Sequence, residues 1–139
     1  MGNDPEPFEF HAKLTELDDG LDTLHRSVQL LRDAAGPAAD DHALMLFETA
    51  LGEIGANVLT HGRPRGSRQA VDYDLRLAGR ELHASFVDPG PPAHDHLKRE
   101  MPAPDEESGR GLAIARALVD ELGYWREGDV NTWRLVKRI

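Results

Sequence analysis

The clearest pattern in the chain is a stripe of apolar residues at Leu44, Phe47, Leu51, Ile54 and Val58. Steps of three and four belong to one face of a helix, so a helix is predicted to about Thr60, capped by Asp40 or Asp41 and closed by His61-Gly62. About 100° away, at 3.6 residues per turn, the same helix carries a polar ridge of Glu53, Asn57 and His61. An earlier helix is predicted from Leu17, Leu21, Leu24, Val28 and Leu31. Thr15-Glu-Leu-Asp18 before it has capping-box spacing, and Gly36-Pro37 ends it. A third helix is predicted to open at Gly109-Arg-Gly-Leu112 and to run through Ala115, Leu118, Val119 and Leu122, with Gly123 just past its end.

Elsewhere the period is two. Phe8, Phe10, Ala12 and Leu14 alternate with Glu9, His11 and Lys13, which predicts a half-buried strand. Val71, Tyr73, Leu75 and Leu77 predict a second, and Ala78-Gly79-Arg80 turns it into a third, from Glu81 to Val87. A short strand is expected at Tyr124 to Glu127, a turn at Gly128-Asp129, and a last strand from Thr132 to Ile139. Residues 63–69 read as a basic loop, and residues 89–108 have no usable period. The predicted order is strand, two helices, two strands, helix, two strands. Strands that alternate apolar and polar bury one face only, so the helices must cover that face. The expected fold is a two-layer α/β sandwich.

Length and charge narrow the possibilities. At 139 residues the expectation is one domain, 1–139, with residues 1–6 loose. A net charge of −9 weighs against nucleic acid as a partner, because that affinity comes largely from neutralising phosphates. A local nucleotide site is still compatible with it. There are no cysteines, so thiolate chemistry and disulfides are excluded. No apolar run approaches the roughly 20 residues of a membrane span, and the N-terminus lacks a signal-peptide pattern. The plain expectation is a cytoplasmic protein with no membrane contact.

Four features carry candidate chemistry. They are the Glu53/Asn57 ridge, Asp88-Pro-Gly90-Pro91-Pro92 after a strand, the long loop, and the glycines opening the third helix. Taken singly, each has a plain reading: a solvated helix face, a turn, a connection, a flexible helix start. Taken together they can serve a nucleotide. A helix N-terminus offers free N–H groups to phosphate, and Gly109 and Gly111 allow close approach. Asp88 can accept a hydrogen bond from a purine amine, and Gly90 leaves room for the ring. Asn57 offers an oxygen to Mg²⁺, and Glu53 can take a proton near the phosphates.

On these motifs the chain resembles the GHKL (Bergerat-fold) ATPases, and within them the anti-sigma factor serine kinases of bacterial partner-switching systems. Glu53-Ile-Gly-Ala-Asn57-Val-Leu-Thr-His61-Gly62 resembles the N box, Asp88-Pro-Gly90-Pro-Pro92 the G1 box, and Ser108-Gly-Arg-Gly-Leu112 with its helix the G2 box. Pro92 stands where the family has a second glycine. The resemblance implies a mixed, mostly antiparallel sheet covered on one face by three helices. It implies Glu53 as general base and Asn57 as Mg²⁺ ligand. Asp88, supported by Thr132, would read the adenine amine, with Gly90, Pro91 and Pro92 in that pocket. Gly109, Arg110, Gly111 and Leu112 would pack around the triphosphate of ATP or ADP, under a lid at about 92–108. Acidic lid residues Asp105, Glu106 and Glu107 would be offset by Mg²⁺ or by Lys98, Arg99 and Arg110.

Two features keep alternatives open. His61 either closes its helix, where a charged imidazole suits the dipole, or faces the nucleotide. Gly52 and Gly55 each cost ~1 kcal/mol inside a helix, which close packing under a nucleotide, on the sheet or against another helix would explain. The implied function is a protein serine/threonine kinase and anti-sigma factor, or equivalent switch protein. It would phosphorylate a STAS-domain antagonist on serine and sequester a sigma factor or other target, and family members imply a homodimer. The alternative is a nucleotide-binding sequestering module with little or no kinase activity.

Overall fold

This computed structural model describes residues 4–61, 69–90 and 107–139, with backbone alone at 61 and 107–109. The basic loop at 63–68 and the expected lid at 92–106 lie outside the described residues. Five strands are present: β1 (Phe8–Leu14), β2 (Val71–Ala78), β3 (Glu81–Asp88), β4 (Glu121–Glu127) and β5 (Val130–Arg138). Among the described residues three α-helices accompany them: α1 (Leu17–Ala35), α2 (Asp41–His61) and α3 (Glu107–Leu118). The sheet order is β1-β2-β3-β5-β4.

The fold is the expected α/β sandwich, with one refinement. Every adjacent pair is antiparallel, so the sheet is not mixed. The connection from β1 to β2 includes α1 and α2, and β2 runs antiparallel beside β1. The connection from β3 to β4 includes α3, and β4 runs in the direction of β3. Because β5 folds back between them, those two like-directed strands never touch.

Alternation sorts the sheet faces as the sequence predicts. Leu75, Leu77, Leu82, Ala84, Phe86 and Leu135 are buried under the helices, while Asp74, Arg76 and Arg134 on the opposite face are exposed. Turns at Gly79 and Gly128 use left-handed backbone, φ 59° and 57°, which glycine adopts without a Cβ penalty. The apolar stripe of α2 is almost wholly buried, Leu44 through Val58 being at most 2% exposed.

Helix ends differ from expectation in places. Asp40 caps α2 by accepting from the Ala43 amide at 3.1 Å. The N-cap of α1 is Glu16, without a side-chain cap bond, one residue later than the Thr15–Asp18 box places it. Leu17 is 39% exposed and lies off the seam. Gly36 ends α1 with φ 68°. Asp4 to Glu6 has no regular structure yet is anchored: Pro5 is buried, and Asp4 meets the Arg80 guanidinium at 3.4 Å.

The largest correction concerns α3 and β4. The helix begins two residues early, at Glu107, and ends at Leu118 rather than Leu122. Acid and serine suit a first helical turn, which favours the early start. Asp120 stops the helix by pairing with β5: its amide donates to the Val136 carbonyl at 2.9 Å, and its carboxylate accepts from the Arg138 amide at 2.7 Å. Glu121, Leu122 and Gly123 therefore extend β4, and Leu122 reaches the core from the sheet.

Candidate functional site

The site lies where β3 ends. Asp88 is the last residue of that strand and points to the helix side of the sheet, 1% exposed. Its Oδ1 accepts two hydrogen bonds, from the Gly90 amide at 2.8 Å and from Asn131 Nδ2 at 3.0 Å. Among the described residues its Oδ2 is buried with no hydrogen-bond partner. An orphaned carboxylate oxygen is costly unless a ligand supplies a donor. Burial is the main influence on this carboxyl and raises its pKa. Asn131, the Gly90 amide and the Arg126 charge pull it back down.

Among the described residues Glu48 Oε1 is the other buried acceptor without a partner. Its sister oxygen meets His25 Nδ1 at 3.1 Å, so Glu48 belongs to the contact between α1 and α2.

Strand register explains the support around Asp88. Asp88 faces Asn131, and Asn131 faces Arg126, so the three stand side by side on β3, β5 and β4. Asn131 Nδ2 also reaches the Gly90 carbonyl at 3.1 Å. Arg126 Nη1 donates to that carbonyl at 2.8 Å and to Asn131 Oδ1 at 2.9 Å. Tyr124 Oη donates to the same Asn131 oxygen at 2.5 Å.

Thr132, expected to support Asp88, does not. It pairs with Val87 and Trp125, and alternation puts it on the opposite face of the sheet. Asn131 holds the position instead. A count back from the buried Trp133 puts Asn131 on the helix face, and the two-residue turn at Gly128-Asp129 sets Arg126 opposite it. Both were thus available as signals in the sequence.

A second candidate region is the seam where α2 and α3 pack together. Glu53 and Asn57 are half-buried on α2. Gly111 is buried, and a Cβ built there would lie 2.6 Å from Glu53 Oε2. The carboxylate thus rests on the early turns of α3, and any side chain at 111 would displace it. Leu112 is 2% exposed and packs in the core, whereas Arg110 is exposed. Gly90 is buried beside Asp88. Gly109 lies in the first turn of α3, as backbone. Pro91, Pro92 and the His61 side chain lie outside the described residues.

The two helix glycines differ. A Cβ on Gly55 would lie 2.4 Å from Leu24 Cδ1 and 3.5 Å from Phe86 Cζ, so this glycine serves contact with α1 and the sheet. A Cβ on Gly52 would meet nothing within 4 Å.

The orphaned Asp88 oxygen fits a ligand that donates a hydrogen bond, as an amine-bearing base does, and Gly111, covered by Glu53, leaves no room for a side chain. Among the described residues no three His, Asp or Glu side chains gather as a metal site. Mg²⁺ in a nucleotide site takes most of its oxygens from phosphate and water, so it does not need such a cluster. On the other face of the sheet a concavity of about 590 Å³ is lined by His11, Asp74, Arg76, His83, Ser85 and Arg134. It is walled off from Asp88 by the sheet. Cross-strand pairs such as His11–Asp74 at 2.6 Å mark it as a solvated surface.

No curated protein matches the sequence. The chain is similar in structure to the RsbU and RsbW domains of Rv1364c from Mycobacterium tuberculosis, with a TM-score of 0.69 at 22% sequence identity. The match covers 94% of this chain and 32% of that one, so the chain spans about a third of that protein's crystallised length. Among the described residues no helix is long and apolar enough to cross a membrane. Residues 19–137 match the histidine kinase-like ATPase domain. That span includes Glu53, Asp88 and Asn131, so the chain belongs to the histidine kinase-like ATPase family, whose domain implies nucleotide binding.

Proposed function

We propose that this protein is an ATP-dependent protein serine/threonine kinase of the partner-switching type. It phosphorylates a STAS-domain antagonist on serine and sequesters a sigma factor or an equivalent target. The observation that carries the reading is Glu53, a carboxylate resting on the N-terminal turns of α3 beside Gly111. A base at that point stands where the family motif puts the phosphate chain, and a helix N-terminus favours phosphate. Likeness to a structure containing an RsbW domain supports the narrower assignment.

In this reading Asp88 accepts the adenine amine through Oδ2 and fixes the base. Gly109, Arg110, Gly111 and Leu112 flank the triphosphate, and residues 92–108 form the lid. Glu53 takes the proton from the attacking serine hydroxyl. The serine oxygen bonds to the γ-phosphorus as the bond from that phosphorus to the β,γ-bridging oxygen breaks, and ADP leaves. Asn57 would hold Mg²⁺, which neutralises phosphate charge when bound. The site works inside one chain of 1–139, in the cytoplasm, and a homodimer is part of the proposal.

The test is transfer of labelled phosphate from ATP to a STAS-domain protein encoded beside this chain. Label is expected on a partner serine and should fall at least about a hundredfold in Glu53→Ala, with nucleotide affinity retained. Nucleotide binding without transfer at any partner concentration would remove the kinase claim and leave a sequestering module.

A further inference from the structure

We propose that Arg126 is a positioning residue of the base site, making it selective for a 6-aminopurine over a 6-oxopurine. The assignment rests on the nucleotide-binding reading and goes beyond it, because Arg126 comes from the edge strand β4 and belongs to none of the sequence motifs.

The argument is a count of donors and acceptors. Asn131 Oδ1 is met by two donors, Tyr124 Oη and Arg126 Nη1. Asn131 Nδ2 is met by two acceptors, Asp88 Oδ1 and the Gly90 carbonyl. The amide therefore has one favourable orientation, since a flip would set like against like at both ends. That orientation fills Asp88 Oδ1 with two bonds. The Gly90 carbonyl is filled as well, by Asn131 Nδ2 and Arg126 Nη1. One buried acceptor in the cluster is left open, Asp88 Oδ2. A ligand atom beside it must donate, as the amine of adenine does and the C6 oxygen of a 6-oxopurine does not.

Arg126 is the group that binds this arrangement at two points. It fixes the turn after Asp88 through the Gly90 carbonyl, and it fixes the amide that orients Asp88. Without it the Asn131 amide oxygen loses one of these two donors, and the Gly90 carbonyl keeps only the Asn131 bond of its two. The sharpness of the amine requirement then depends on Arg126, although Arg126 touches no part of the base.

The test is calorimetric titration of the full chain with ADP and with inosine 5′-diphosphate, which carries oxygen at C6. Wild type should prefer ADP. Arg126→Met should lose about tenfold in ADP affinity with little change for the inosine nucleotide, so that the preference collapses. A melting curve without nucleotide reports whether the variant folds. Should it not fold, Arg126→Gln, which keeps one amide donor, carries the same comparison. An unchanged ADP affinity, or an equal loss for both nucleotides, overturns the assignment. A wild-type chain that binds neither nucleotide overturns the nucleotide reading and this assignment with it. A wild type that binds ADP, matched by the variant, overturns the assignment alone.

Discussion

At Asp88 burial and hydrogen bonding act on the same carboxyl in opposite directions. Burial raises its pKa, and the Asn131 and Gly90 bonds with the Arg126 charge only partly restore it. The folded chain therefore keeps this proton to higher pH than the unfolded chain does. The stability contribution is complete below the unfolded carboxylate range and is lost as pH rises through the folded pKa. Ligand binding has the reverse slope, because the ionised carboxylate is the acceptor that an amine needs. Asp88→Asn should thus melt higher than wild type at neutral pH without nucleotide, and show less decline as pH rises. It should lose about ten- to a hundredfold in ADP affinity. Melting curves across pH, paired with calorimetry, check both halves. A variant that melts lower at neutral pH contradicts the account of burial.

At the scale of the element, α2 joins two roles on different faces. Its apolar stripe was legible because a period of 3.6 separates core from ridge without further knowledge. Its glycines were not, because their reason lies on other elements. Gly55 is pressed against Leu24 of α1 and Phe86 of β3, whereas Gly52 faces open space. Gly52→Ala should stabilise by about 0.5–1 kcal/mol through helix propensity. Gly55→Ala gains the same propensity but overpacks, and should come out destabilised by up to about 2 kcal/mol. Urea midpoints distinguish them, and equal gains from both substitutions would refute the packing argument. The end of α3 failed for a related reason. Leu118, Val119 and Leu122 suit a helix period, but Asp120 bonds to β5, and that contact turns Leu122 into a strand residue.

At the scale of the molecule the helical layer is held to the sheet by packing, with a buried polar tie between α1 and β2. Ser27 on α1 and Tyr73 on β2 are both 0% exposed. Ser27 Oγ donates to the Leu24 carbonyl at 2.7 Å, so its single proton is committed. Tyr73 Oη must then donate to Ser27 Oγ, also at 2.7 Å. Tyr73→Phe should cost about 1 kcal/mol, read as a lower denaturant midpoint. No loss at all would mean that the tie does not contribute. Burial, helped by the Asp74 charge, raises the Tyr73 pKa far above the ordinary phenol value, while the Ser27 bond acts in the opposite direction.

Sequence alone determined the faces. A period of two or of 3.6 states which side chains share a side, so the sandwich, the α2 stripe, and the placing of Glu53 and Asn57 on one ridge followed from local spacing. The motif run 88–92 and the glycines of α3 were candidates for a nucleotide site, which their resemblance to family motifs, rather than local spacing, suggested. Only the tertiary structure decided what stands beside Asp88. Register across β3, β5 and β4 put Asn131 and Arg126 there and sent Thr132 to the opposite face. A shift of one residue reverses a strand's faces, and which strand lies next to β3 depends on the crossover through α3. The orphaned Asp88 oxygen and the Gly111–Glu53 contact are likewise products of assembly, since each is made by elements distant in the chain.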